Sequence, residues 1–242
     1  MKRLLVFLYG LTSYIIFFAT ILYAIGFVGN FLVPVSIDSA PVGDFTTALL
    51  IDIGLLGIFA VQHTIMARPA FKQWWTKIIP EAAERSTFVL FASLSLILLY
   101  VYWQPLGGTV WEVTDPTGIN VLYGIFALGW ATVFLSTFLI NHFDLFGLRQ
   151  VMLYLQGKPY AALQFKTPFL YRYVRHPLYV GLILGFWAAP VMTGTHLFFA
   201  IATTVYILIG IQFEEHDLKN ALPEYEDYQD RVPMLVPGFA KK

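Results

Sequence analysis

The sequence has no cysteine, and charged residues make up only 12% of its 242 positions. The missing cysteines exclude a disulfide-stapled secreted fold and any thiolate metal site. Charge this scarce excludes a disordered chain and falls well below the quarter that soluble domains carry. Fifteen Lys+Arg balance fifteen Asp+Glu, so no basic excess points to nucleic acid. There is no Gly-rich G-x-G-x-x-G or Walker loop and no H-E-x-x-H pattern, and no metal is expected. What is there is apolar: 58% of residues are hydrophobic, 17% are aromatic, and mean hydropathy is +0.68. That composition is that of an integral membrane protein, and the length permits one helical bundle without a large separate soluble domain.

Six apolar runs stand out: 4–28, 45–66, 88–103, 119–140, 177–192 and 196–213. Lengths near ~20 residues match a hydrocarbon core of about 30 Å at about 1.5 Å rise per residue. Strand-like alternation is absent, so the expected fold class is all-α, a polytopic bundle of six helices. The first run follows Lys2 and Arg3 but is too long for a signal peptide and lacks a small-x-small cleavage site, so it reads as a retained helix. All 15 Lys and Arg fall in segments 1–3, 67–87, 141–176 and 214–242. The intervening loops carry Asp38, Asp44, Glu112 and Asp115 but no base. The positive-inside rule then places both termini in the cytoplasm. The expected division is a four-helix region over 1–140 and a cytoplasm-facing binding region over 141–242. The fifth run is short, contains Pro190, and joins the sixth through Thr193-Gly194-Thr195. The two read as a tight helical hairpin over 177–213, with Gly181 and Gly185 spaced for close helix approach.

Polar residues collect at the cytoplasmic ends of these runs, where burial makes them costly. Gln62 and His63 end the second run, and Asn141, His142 and Asp144 end the fourth. Arg175, His176 and Tyr179 open the fifth, and Glu214 and Glu215 close the sixth. Pro177 suits a first helical turn, and Arg175 stands beside the free N–H groups of that terminus, a seat for an anion. The paired carboxylates at the other end of the hairpin suit a cation or ribose hydroxyls. A zwitterionic ligand fits both. Tyr160, Phe165, Tyr171, Tyr173, Tyr225 and Tyr228 supply aromatic faces for an ammonium or sulfonium group. Asp52 lies inside a run and is expected to pair with a hydroxyl or amide.

The stretch from Tyr171 through Arg175-His176-Pro177-Leu178-Tyr179, the hairpin, Glu214-Glu215, and Tyr225, Tyr228, Arg231 and Pro233 resembles the isoprenylcysteine carboxyl methyltransferases and phospholipid methyltransferases. Farther upstream, Gln62-His63, Met66, Arg68-Pro69, Glu84-Arg85-Ser86-Thr87, and Asn141-His142 with Asp144, Gly147, Arg149 and Gln150 are similar to the bacterial methanethiol S-methyltransferases. The resemblance implies an S-adenosylmethionine site lined by Tyr171, His176, Pro177, Leu178 and Tyr179. In it Arg175 meets a charged group or fixes the loop, and Glu214 and Glu215 hold the amino or ribose end. Two departures weigh against a prenyl-cysteine substrate: Ala161–Phe165 lacks a histidine that the prenyl-cysteine enzymes carry there, and Ile211-Gln212-Phe213 lacks a base. The resemblance thus implies methylation of a small thiol, methanethiol to dimethyl sulfide, in a bacterial inner membrane, with the lipid bilayer as surroundings. For the thiol proton two routes stand open: a base such as His63, His142 or Asp144, with His142 or His63 first and Asp144 as possible orienter, or loss to water eased by the adjacent sulfonium. Other readings of the same residues are methylation of a lipid amine or prenyl-cysteine, an NADPH-dependent reductase with a similar hairpin, and a haem or quinone anchor on His63 and His142.

Overall fold

The computed structural model describes residues 1–40 and 43–238. Lys241 and Lys242, part of the basic tally of the tail, lie outside the described residues. In chain order the elements are α1 (Lys2–Gly29), α2 (Phe45–Ala67), α3 (Pro69–Trp75), α4 (Glu81–Tyr102), β1 (Thr109–Glu112), α5 (Pro116–Ile140), α6 (His142–Leu145), α7 (Leu148–Leu155), α8 (Pro177–Trp187), β2 (Val191–Thr193), α9 (Gly194–Ala221) and α10 (Tyr225–Arg231). A 3-10 turn covers Phe169–Arg172. The fold is mostly helical, as the apolar runs require.

Five helices, α1, α2, α4, α5 and α9, are long and apolar enough to cross a membrane. The expected sixth apolar helix, from the fifth run, is present but short. This helix, α8, has only 11 residues, a rise of about 16 Å, half of a hydrocarbon core. Helix stops there because the ring of Pro190 removes a donor and disfavours helical backbone before it. The chain then turns into β2, which pairs antiparallel with β1. This small sheet was not expected from the sequence. Trp111 Nε1 donates to the Ala189 carbonyl at 3.2 Å and the Val113 N–H to Pro190 O at 2.9 Å, so the polar backbone freed where α8 ends is satisfied. Thr193 then caps α9, its hydroxyl accepting from the His196 N–H at 3.0 Å.

Contacts group the chain into two compact units. The first comprises Met1–Gly107 and Asn141–Ala162. In it α4 packs on α1 and α2, and α7 packs on α1. Tyr9 on α1 donates to Thr87 on α4 at 2.9 Å. Val6, Ala83 and Val151 form a buried cluster from three helices. Gly147 begins α7 at φ 88°, and a Cβ there would meet the Ser86 hydroxyl at 2.7 Å, so both backbone and packing demand glycine. Asp52 is wholly buried and accepts the backbone N–H of Gln104 at 2.9 Å.

The second unit comprises Gly108–Ile140 and Leu163–Lys242. The fourth apolar run therefore groups with the last two. Its helix α5 lies along α8, and the seam is made of glycine. A Cβ on Gly181 would lie 2.6 Å from the Gly129 carbonyl, and one on Gly129 would lie 2.7 Å from the Gly181 carbonyl. The small-residue spacing of α8 thus serves close approach, with α5 as the partner.

Candidate active site

The Arg175-His176-Pro177 segment lies where the 3-10 turn hands over to α8. Pro177 occupies the first turn of α8, and its missing N–H costs nothing there. The tail runs back alongside: the Arg175 N–H donates to Pro233 O at 2.9 Å and the His176 N–H to Met234 O at 3.2 Å. This holds both side chains toward the last turns of α9.

Consecutive residues on a helix point about 100° apart, so Glu214 and Glu215 face different neighbours. Glu215 is buried and accepts from Arg175 Nε at 2.7 Å, His176 Nε2 at 3.0 Å and Gln229 Nε2 at 2.6 Å. The Arg175 side chain is 9% exposed, and its Nη1 donates to the carbonyls of both Gln229 and Val232. The guanidinium is therefore taken up inside the protein, rather than standing free beside the helix terminus. Of the two roles open to Arg175, this geometry is that of fixing the loop. Glu214 is the outward member: its side chain is 43% exposed. It accepts the Tyr179 hydroxyl at 2.9 Å, and His176 Nδ1 lies 3.8 Å from the same oxygen. Both contacts fall on one of its two carboxylate oxygens. The His176 and Tyr179 rings stack 5.5 Å apart.

Tyr171, Tyr225 and Tyr228 brace this cluster. Tyr228 donates to the Tyr171 carbonyl at 2.6 Å, and Tyr171 reaches Ser136 O on α5 at 3.4 Å. Phe165, Tyr225 and Tyr228 pack edge to face with ring centroids 5.4–6.0 Å apart. Burial pushes the Tyr228 hydroxyl up to about 12 and raises those of Tyr171 and Tyr225, so all three remain proton donors at neutral pH. Gln229 was missed in the sequence because only the Tyr225, Tyr228 and Arg231 spacing drew notice. Its place one turn after Tyr225 was the available signal. Arg231 turns away and donates to Asp227 O.

The other site residues lie in the first unit. His142 is 3% exposed and its Nε2 stands 2.7 Å from the Tyr14 hydroxyl on α1. Phe146, Phe143 and Tyr14 surround the ring at centroid distances of 4.9, 5.4 and 5.7 Å. This burial lowers the pKa of His142 below the ordinary imidazole range. Asp144 binds Arg149 at 2.7 Å and Tyr160 at 3.2 Å. Burial and the Asp144 charge raise Tyr160. His63 on α2 stacks on Phe59 at 5.3 Å and touches Phe88 at 5.0 Å. Among the described residues no His, Cys, Asp and Glu cluster is arranged to hold a metal.

The phospholipid methyltransferase family model matches residues 119–223, which carry α5, α8 and α9. Methanethiol S-methyltransferase of Crocosphaera subtropica is 55% identical over 243 residues, covering 100% of this chain and 95% of the relative. That of Mycobacterium tuberculosis is 51% identical over 238 residues, covering 98% of each chain. The chain belongs to the methanethiol S-methyltransferase family. It is a methyltransferase and a multi-pass membrane protein. The matched region takes in the Arg175–Glu215 cluster and His142, while His63 and Tyr14 lie ahead of it. No solved structure matches the chain.

Proposed function

We propose that this chain methylates a small thiol, methanethiol in the first instance, using S-adenosylmethionine, and releases dimethyl sulfide. The observation that carries the reading is 55% identity, along the whole chain, to a methanethiol S-methyltransferase. The donor set supports the cofactor. Glu214 offers an outward carboxylate beside the stacked His176 and Tyr179 rings. That is the chemistry an ammonium or a ribose hydroxyl calls for, with aromatic faces near for a sulfonium. Tyr171, Arg175, His176, Pro177, Leu178, Tyr179, Glu214 and Glu215 are the residues that would hold it. Arg175 and Glu215 act by fixing the loop, and Glu214 by direct contact. Bound there, S-adenosylmethionine supplies an activated methyl group, and transfer to a thiolate leaves neutral sulfides.

The chain's own task is to deliver that thiolate. An alkyl thiol has a pKa above the ~8.5 of cysteine and is mostly protonated at neutral pH. His142, with Nε2 2.7 Å from the Tyr14 hydroxyl, is the first candidate to take the proton. Asp144 is held by Arg149 and Tyr160, and His63 is the second candidate base. The basic residues support an orientation with both termini and the site on the cytoplasmic side of a bacterial inner membrane. An apolar thiol would then arrive through lipid and the charged donor from the cytosol.

The test is to supply purified protein with methyl-labelled S-adenosylmethionine and, separately, methanethiol, phosphatidylethanolamine and a prenyl-cysteine. Labelled dimethyl sulfide by gas chromatography is the expected product. Label in the lipid or the prenyl-cysteine instead overturns the thiol assignment.

A further inference from the structure

The Tyr14 hydroxyl covers the one nitrogen through which His142 would meet a substrate in the direction of α1. The contact is 2.7 Å, with the two rings edge to face. His142 is nearly inaccessible, whereas Tyr14 is half-buried on α1. Around them Phe17 stacks on Phe146 at 4.0 Å, and Phe143 and Phe146 close on the imidazole. A dry aromatic box of this kind keeps water from serving the imidazole and strengthens the hydrogen bond inside it.

We propose that Tyr14 is a proton relay between the thiol substrate and His142. This rests on the reading of His142 as the base. In the tautomer with Nε2 unprotonated, the tyrosine O–H donates to it across the 2.7 Å contact, which leaves lone pairs of the tyrosine oxygen to accept. In the relay the S–H bond of the thiol breaks and its proton bonds to the tyrosine oxygen. In the same step the original tyrosine proton moves to Nε2. The products are a thiolate, a neutral tyrosine and an imidazolium. After the sulfide leaves, the proton returns by the reverse hops to water, and the pair is reset. The phenol itself never carries a full charge. That matters in an apolar box, where a phenolate is costly.

The experiment compares Tyr14→Phe and His142→Gln with the wild type on two thiols. One is an alkanethiol, protonated at neutral pH. The other is an aromatic thiol, largely ionised there, which needs no base. Both variants are expected to lose about 10²–10⁴-fold in kcat on the alkanethiol and to stay within a few-fold on the aromatic thiol. The aromatic arm also shows that each variant is folded and binds the donor. An independent readout is nitrogen NMR of histidine-labelled protein without donor. In the wild type His142 should hold a single tautomer with Nε2 unprotonated, and in Tyr14→Phe it should become a mixture. Full alkanethiol activity in Tyr14→Phe with loss in His142→Gln overturns the relay and leaves His142 as base. Full activity in both overturns the base as well. An equal loss on both thiols in Tyr14→Phe makes Tyr14 a structural residue and overturns the relay. A wild-type enzyme inactive on every thiol overturns the thiol reading itself.

Discussion

The chain buries His142 in the first of its two units and His176 in the second, and surrounds them in opposite ways. His176 is set among charges: Glu215 at 3.0 Å, Glu214 at 3.8 Å, and Arg175 on the same carboxylate. His142 is set among rings, with a phenol as its partner at 2.7 Å. A carboxylate partner fixes an imidazole in an ionic lattice that ties α8, α9 and the tail together. A phenol partner leaves the imidazole neutral and able to accept a proton. The same residue type thus meets carboxylates in one unit and a phenol in the other.

The largest test of this contrast is Glu215→Ala. It strands a buried guanidinium, and removing one partner of a buried pair costs about 3–5 kcal/mol. Thermal unfolding in detergent should show the loss, along with release of the tail after α9. A change near zero would mean that the charges around His176 do not hold the unit together. Next is Gly181→Ala, which drives a methyl to 2.6 Å from the Gly129 carbonyl. Backbone cannot yield there, so about 1–3 kcal/mol is expected, read by the same melt. Donor affinity should fall with it, because α8 carries His176 and Tyr179. Glu214→Gln sharpens the comparison within the carboxylate pair. It should weaken S-adenosylmethionine binding about tenfold, about 1.4 kcal/mol, by calorimetry, with little change in melting temperature. The reverse pattern would exchange the roles of the two glutamates. The smallest effect is a pH dependence. Burial lowers the pKa of His142 in the folded state, so the folded protein binds this proton less well than the unfolded chain. The stability it contributes is complete above the ordinary imidazole value near ~6.5 and is lost as pH falls through the lowered value. His142→Gln should flatten the acid side of a melting-temperature profile. An unchanged profile would remove the contrast with His176.

Much of the candidate site was legible because motif and helix ends coincide. Arg175-His176-Pro177 and Glu214-Glu215 stand at the start of one apolar run and the end of the next, and a return of the chain brings them together. What stayed hidden was commitment. Nothing in the string says that Arg175 meets Glu215 and two carbonyls, or that Asp144 pairs with Arg149. Tyr14 lies 128 residues before His142, inside an apolar run where a tyrosine raises no signal. The small sheet was hidden for a related reason: β1 and β2 have four and three residues, too few for a period to register.

By itself the sequence determined the membrane class, the helical content, the family and the candidate residues. Hydropathy over some twenty positions and the order of a few motifs are properties of the string. Tertiary structure decided that the fifth run is a short helix on α5, that one glutamate is buried and the other outward, and that a phenol covers the candidate base. Each of those depends on which side chains meet across long separations, and pairing of that kind is fixed by packing and by the need to satisfy buried polar groups.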